Sequence, residues 1–175
     1  MSTALRIALP LLLAGLSPPS ATAQLYRPSH TPPTGLELVA VYLTSRTCHG
    51  CRAPEMPATL DSIKLLLQRQ AQRAGQPFRA VFVDMDWSPD SGLALAREDG
   101  TWDEIIVGRS WFNAGAERYI WGDSATTAVL PQLILIEQRV EMGARARFGT
   151  RQVLRRLVGL PAFQVWLRQG APRAP

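Results

Sequence analysis

The sequence predicts an α/β domain in which a mixed sheet is flanked by helices. Three observations carry this. Residues 36–43 (LELVAVYL), rich in apolar and β-branched side chains, lead through a short polar stretch into Cys48-His49-Gly50-Cys51 and then a long segment of helical period. A second run, residues 78–85 (FRAVFVDM), follows that helix, giving strand–helix–strand. Residues 133–136 (LILI) form a continuous apolar run, the pattern of a strand covered on both faces.

In chain order, the first stretch stands apart. Arg6 gives a short positive region, residues 7–16 (IALPLLLAGL) are apolar but too short for a membrane span, and Ala21-Thr22-Ala23 supplies an A-x-A cleavage signal. Residues 1–23 therefore read as a signal peptide cleaved after Ala23, which places the mature chain in the periplasm. Residues 24–35 (QLYRPSHTPPTG) read as an extended lead-in, and 36–170 as the folded domain.

From Cys51 the period turns helical. Met56, Leu60, Ile63, Leu67 and Ala71 share one face, Pro54 and Pro57 sit in the first turns, and Gly75 and Pro77 end the helix. Residues 87–128 separate the second strand from the next. Within this stretch, residues 93–98 and 102–112 read as helical, with GAERYIWGD as an irregular return. After LILI, residues 140–148 (VEMGARARF) alternate strictly and suggest a hairpin. Thr150 is then read as the N-cap of a last helix, with Val153, Leu154, Leu157 and Val158 inward and a break at residues 159–161.

Composition narrows the function classes. The chain has 19 basic and 14 acidic residues and a net charge of +5, falling to +4 on loss of the signal peptide. The arginines are scattered among acids, the pattern of a solvated surface rather than of a nucleic-acid partner. The two cysteines both lie in CHGC. A bridge across two residues closes so short a loop that it constrains the unfolded chain little, so a redox role explains the pair better than a structural one. A metal site needs three or four ligands, and the only histidine beyond the motif is His30, so no metal is expected. A c-type haem needs CxxCH, whereas Arg52 follows Cys51; no cofactor is expected.

Together these motifs resemble the thioredoxin-like superfamily, over roughly residues 36–167. Cys51-Arg-Ala-Pro-Glu-Met-Pro is similar to the active-site helix start of TlpA/ResA-like exported thioredoxins, with Pro54 as one extra residue. Leu130-Pro131 before LILI matches the family's cis-proline, with Leu130 where threonine or valine is usual. Tyr42 stands where the family often has a buried carboxylate, and Thr47 where it often has tryptophan. The resemblance implies a thioredoxin-like mixed sheet with a helical insertion before the cis-proline strand, and an exported thiol:disulfide oxidoreductase. Its partners would be cysteine-containing exported proteins and a membrane or periplasmic redox partner. In this reading Cys48, at the helix start, is the nucleophile, and Cys51 resolves the mixed disulfide. His49 tunes the thiolate, as histidines between the cysteines do in DsbA-type oxidants, though here in the first middle position. The backbone at Leu130 and Pro131 binds an extended substrate. Trp87, Trp111 and Trp121 line a groove or pack as a satellite core. The alternative is a non-catalytic accessory protein of an envelope assembly or secretion apparatus, built on the same fold.

Overall fold

The computed structural model describes residues 33–122, 127–143 and 146–173; the expected signal peptide and the lead-in up to residue 32 lie outside the described residues. β1 (Gly35–Thr44) is the central strand and has eight consecutive buried residues, as its unbroken apolar run requires. A short 3₁₀ turn (His49–Arg52) follows, then α1 (Met56–Arg73), β2 (Phe78–Asp84) and α2 (Pro89–Glu98). The expected single helix from Cys51 is thus split, because Ala53, directly before Pro54, is extended (φ −60, ψ 134), as a residue preceding proline prefers, and α1 restarts from Glu55 and Met56. β3 (Glu104–Ile106) comes next, then a 3₁₀ turn (Ser110–Phe112) and α3 (Ala114–Ala116), which runs on as a wider π turn (Glu117–Trp121). β4 (Gln132–Met142), β5 (Ala146–Val158) and α4 (Leu160–Arg168) complete the chain.

The sheet order is β3-β2-β1-β4-β5. β1, β2 and β3 are parallel, and β4 and β5 run antiparallel. A parallel β1–α1–β2 crossover beside an antiparallel hairpin and a terminal helix is the thioredoxin-like arrangement. Alternate residues of β1 feed two cores. Leu38, Ala40 and Tyr42 pack with Leu60, Ile63 and Leu67 of α1 and Phe163 and Trp166 of α4. Val39, Val41 and Leu43 pack with Ala116, Tyr119 and Ile120. Each fully buried Val, Leu, Ile or Phe among them contributes about 1.5–3 kcal/mol against its exposed state.

Three expectations fail, each for a physical reason. Residues 102–109 are not helical, and 110–112 form only a 3₁₀ turn. The Asp103 carboxylate accepts the Ala80 amide at 2.7 Å and its own amide returns to the Ala80 carbonyl at 2.9 Å, which holds Glu104–Ile106 against β2. Gly108, Arg109 and Ser110 then take positive φ, which no right-handed helix continues through. The last helix does not start at Thr150: residues 150–158 belong to β5, and the helix begins only after Gly159, at φ +80. Leu154 and Leu157 share a face at helical spacing because β5 carries a bulge there. Leu135 pairs with Arg155 and Ile136 with Val153, so Leu154 is the extra residue; it joins Leu157 on one core while Val153 packs into the other. Finally, the alternation at 140–148 is not one strand. Residues 140–142 end β4 and 146–148 begin β5, with Val140 opposite Phe148; residues 144–145 lie outside the described residues.

Candidate active site

β1 stops at Thr44 because the chain then turns onto Asp86, just past β2. The Ser45 hydroxyl donates to Asp86 Oδ1 at 2.6 Å and the Arg46 amide to Oδ2 at 2.9 Å. Thr47 N–H bonds the Ser45 hydroxyl at 3.2 Å, and Cys48 N–H the Ser45 carbonyl at 3.2 Å. This loop fixes Cys48 as the cap of the 3₁₀ turn. The Cys51 amide points at Cys48 Sγ at 3.2 Å.

Cys48 and Cys51 are joined as a disulfide, with Cα atoms 5.2 Å apart. The two sulfurs differ in environment: Cys48 is half-buried, and Cys51 is 1 % exposed. His49 lies exposed on the turn. The Leu130–Pro131 peptide is cis, and a Cβ on Gly50 would meet Pro131 Cδ at 3.4 Å, so glycine lets the proline approach the motif closely. Leu130 is half-buried, and its backbone makes no backbone hydrogen bond among the described residues. The five residues singled out from the sequence, Cys48, His49, Cys51, Leu130 and Pro131, therefore meet at one end of the sheet, beyond β1 and at the entry to β4.

A cleft of about 490 Å³ opens beside Cys48, lined by Thr47, Asp86, Trp87, Trp111 and Leu130 among others. Trp87 in its lining is 70 % exposed, and its ring centroid lies 6.3 Å from that of Phe112, itself 68 % exposed. Trp111 packs against Trp121, whose indole N–H donates to the Trp111 carbonyl at 2.7 Å. Trp102 and Trp166 are core residues: Trp102 stacks on Tyr42 at 5.9 Å, and Trp166 is buried.

Charged residues that motif reading passes over frame the site. Glu98, at the end of α2, takes Arg46 at 3.0 Å and Arg52 at 2.9 Å, one arginine from each side of the motif, and these bonds hold its carboxyl below the usual range. Asp84, fully buried at the end of β2, accepts the Asp86 amide at 3.1 Å. Burial, with the neighbouring Asp86 charge, pushes its carboxyl up to about 7. Gly92 makes room for it: a Cβ there would lie 2.5 Å from Asp84 Oδ2. A smaller cavity of about 170 Å³ lies behind the motif, between Cys51, Arg52, Pro54, Pro57, Glu98 and Asp99. Only the arginines carry a sequence signal, one on each side of CHGC. Among the described residues no group of three or more metal-type ligands occurs, and no helix is long and apolar enough to cross a membrane.

No protein-family model matches the chain, and no curated protein sequence matches it. Similar solved structures do exist. A thiol-disulfide oxidoreductase from Bacteroides fragilis NCTC 9343 is 16% identical over 76% of this chain and 80% of its own, with a TM-score of 0.47. A thiol:disulfide interchange protein of the thioredoxin family from Chlorobium tepidum TLS is 12% identical over 78% and 81%, at 0.39. A DsbF homologue from Corynebacterium diphtheriae is 18% identical over 57% of this chain and 55% of its own, at 0.37.

Proposed function

We propose that the chain is an exported thiol:disulfide oxidoreductase that exchanges disulfides with cysteines of envelope proteins. The observation that carries this is the asymmetry of the pair. Cys48 lines a cleft of about 490 Å³, while Cys51 is closed off and aims its amide at Cys48 Sγ. Once the bond opens, that N–H stabilises a thiolate on Cys48, the reactive form.

The exchange balances simply. A substrate thiolate attacks Cys48 Sγ, the Cys48–Cys51 bond breaks and the electron pair leaves on Cys51. A second substrate thiolate then displaces Cys48, leaving the substrate oxidised and the pair reduced. The reverse sequence reduces a substrate. Leu130 offers its free backbone to an extended segment next to the target cysteine, as a strand added to an edge. A membrane or periplasmic partner resets the pair. Export rests on the N-terminal pattern, and the mature chain would begin at Gln24.

Trapping tests this reading. In Cys51→Ser the resolving thiol is gone, so Cys48 should hold substrates as mixed disulfides that a reductant releases, absent from Cys48→Ser. Identical, adduct-free patterns in both variants would defeat the enzymatic reading in favour of an accessory role.

His49→Ala has a smaller expected effect. A ring charge beside Cys48 stabilises the thiolate and so the reduced form; its loss makes the pair more reducing by about 30 mV or less, since His49 is exposed and screened by water. Equal potentials for variant and parent would leave the tuning to the backbone alone.

A further inference from the structure

Along the chain the arginines look scattered, but the elements gather their excess in one place. Residues 137–158, from the last part of β4 to the end of β5, hold six arginines and two glutamates, a net charge of +4 (6 − 2). That equals the net charge of all residues from 24 onward (18 − 14), so the remainder sums to zero (12 − 12). The hairpin ends away from the motif. Pro131, against Gly50, directly precedes β4, and the turn follows β4 at its other end, about 30 Å off at the rise of a strand. Residues 141–143 and 146–150 are all exposed, so this end projects from the domain.

One face of this end carries an ordered cluster of cations and rings. Ile136, Gln138, Val140 and Met142 alternate along β4 on the side that holds Tyr119, and Phe148 faces Val140. Phe148 is 55 % exposed and Met142 37 %. Arg118, from the π turn, lies over the Phe148 ring at 5.5 Å and the Tyr119 ring at 5.6 Å, and donates to Gln138 Oε1 at 3.3 Å. Arg151 of β5 lies 5.6 Å from the same Tyr119 ring and donates to the Arg118 carbonyl at 2.7 Å. Two guanidiniums are thus held beside an exposed aromatic ring, and neither is ion-paired among the described residues. Arg139 and Arg147 stand exposed at the same end; its acids are Glu117, next to Arg118, and Glu141, opposite Arg147.

We propose that this end of the hairpin docks on an anionic phospholipid surface, with Arg118 and Arg151 at the headgroups and Phe148 and Met142 entering the interface. Such a surface draws the guanidiniums to its phosphates and takes the neighbouring apolar groups out of water. Nucleic acid or an acidic peptide would use the charge but leave Phe148 and Met142 exposed. The chain also enters the sheet here, Gly35 pairing with Val140, so the N-terminal segment joins the domain at this end. Docking is separate from the redox chemistry: it holds CHGC about 30 Å from the lipid, facing exported substrates, and stands whether or not the pair turns over.

The test is flotation of the protein recovered after export, its N-terminus read by mass, with vesicles of phosphatidylcholine alone or mixed with phosphatidylglycerol. The parent should bind the mixed vesicles at low salt, release them at about 0.5 M salt, and ignore phosphatidylcholine alone. Arg118→Gln with Arg151→Gln should weaken binding by about thirtyfold, whereas lysine at both positions keeps the charges and most of the binding. Phe148→Ala should weaken it by on the order of tenfold. Equal binding to both vesicle types would mean a purely apolar anchor, such as retained residues 7–16, and would overturn the proposal. So would lysine and glutamine variants that lose binding alike, or binding of poly-glutamate or DNA, unchanged in Phe148→Ala, with no binding of vesicles. No thiol enters this readout, so its failure is distinct from failure to trap adducts.

Discussion

Cys48→Ser should lower exchange with a disulfide peptide by on the order of a thousandfold or more, the scale on which enzymes lose rate when a nucleophile is removed. The fold should survive the change. Cys48 occupies the cap position of the 3₁₀ turn, where its sulfur accepts the Cys51 amide, and serine is among the best residues for that task. Loss of rate with an unchanged circular dichroism spectrum therefore isolates chemistry from structure. Cys51→Ser should also lose steady-state turnover, yet retain one round of attack, because its partner sulfur still faces the cleft. A Cys48→Ser variant that keeps more than a tenth of the parent rate would mean that the reactive centre lies elsewhere.

Asp84→Asn should change how stability depends on pH. The carboxyl is fully buried, one oxygen accepts the Asp86 amide, and the other has no hydrogen-bond partner among the described residues. Its pKa rises from the ordinary 3.8 to about 7 in the folded chain. The native state therefore holds a proton that the unfolded state has already lost between about pH 4 and pH 7, and stability falls as pH rises through that window. At about 1.4 kcal/mol per pKa unit, the parent should lose up to about 4 kcal/mol more than Asp84→Asn between pH 4 and pH 8. Urea unfolding at the two pH values reads this directly. Parallel losses in parent and variant would show that Asp84 titrates normally.

Placing Asp84 costs the chain a glycine. Gly92 has no side chain to spare, since a Cβ would also come within 2.8 Å of Val107 Cγ1. The helix α2, the strand end and the motif loop are thus fitted to one another through Asp84, Asp86 and Glu98.

How much of this was legible in the sequence follows from the range of the interactions involved. β1, α1, β2 and β4 are driven by burial of contiguous or periodic apolar residues, and each is visible in the chain. The convergence of CHGC with Leu130-Pro131 came through the resemblance and is met in the structure by Pro131 packing on Gly50. β5 looks helical in one dimension because a bulge at Leu154 shifts the strand alternation, so that Leu154 and Leu157, three positions apart, share one core face. β3 was misread because its strand state depends on Asp103 reaching the Ala80 backbone, 23 positions away. Asp99 and Glu98 were invisible for the same reason. As Glu-Asp before a glycine they look like any helix end, and only the packing of α2 beside the motif brings them to Cys51 and its flanking arginines.

The central claim, that Cys48 and Cys51 are a working redox pair and not a staple, is tested most directly by their reduction potential. The chain would be equilibrated in glutathione or dithiothreitol buffers of known potential, the thiols alkylated, and the oxidised fraction read by mass. A reactive Cys48 beside a cleft, supported by the Cys51 amide, predicts a value between about −270 and −120 mV, the range of thiol:disulfide catalysts. A pair that stays oxidised below about −300 mV, as structural disulfides do, would contradict it.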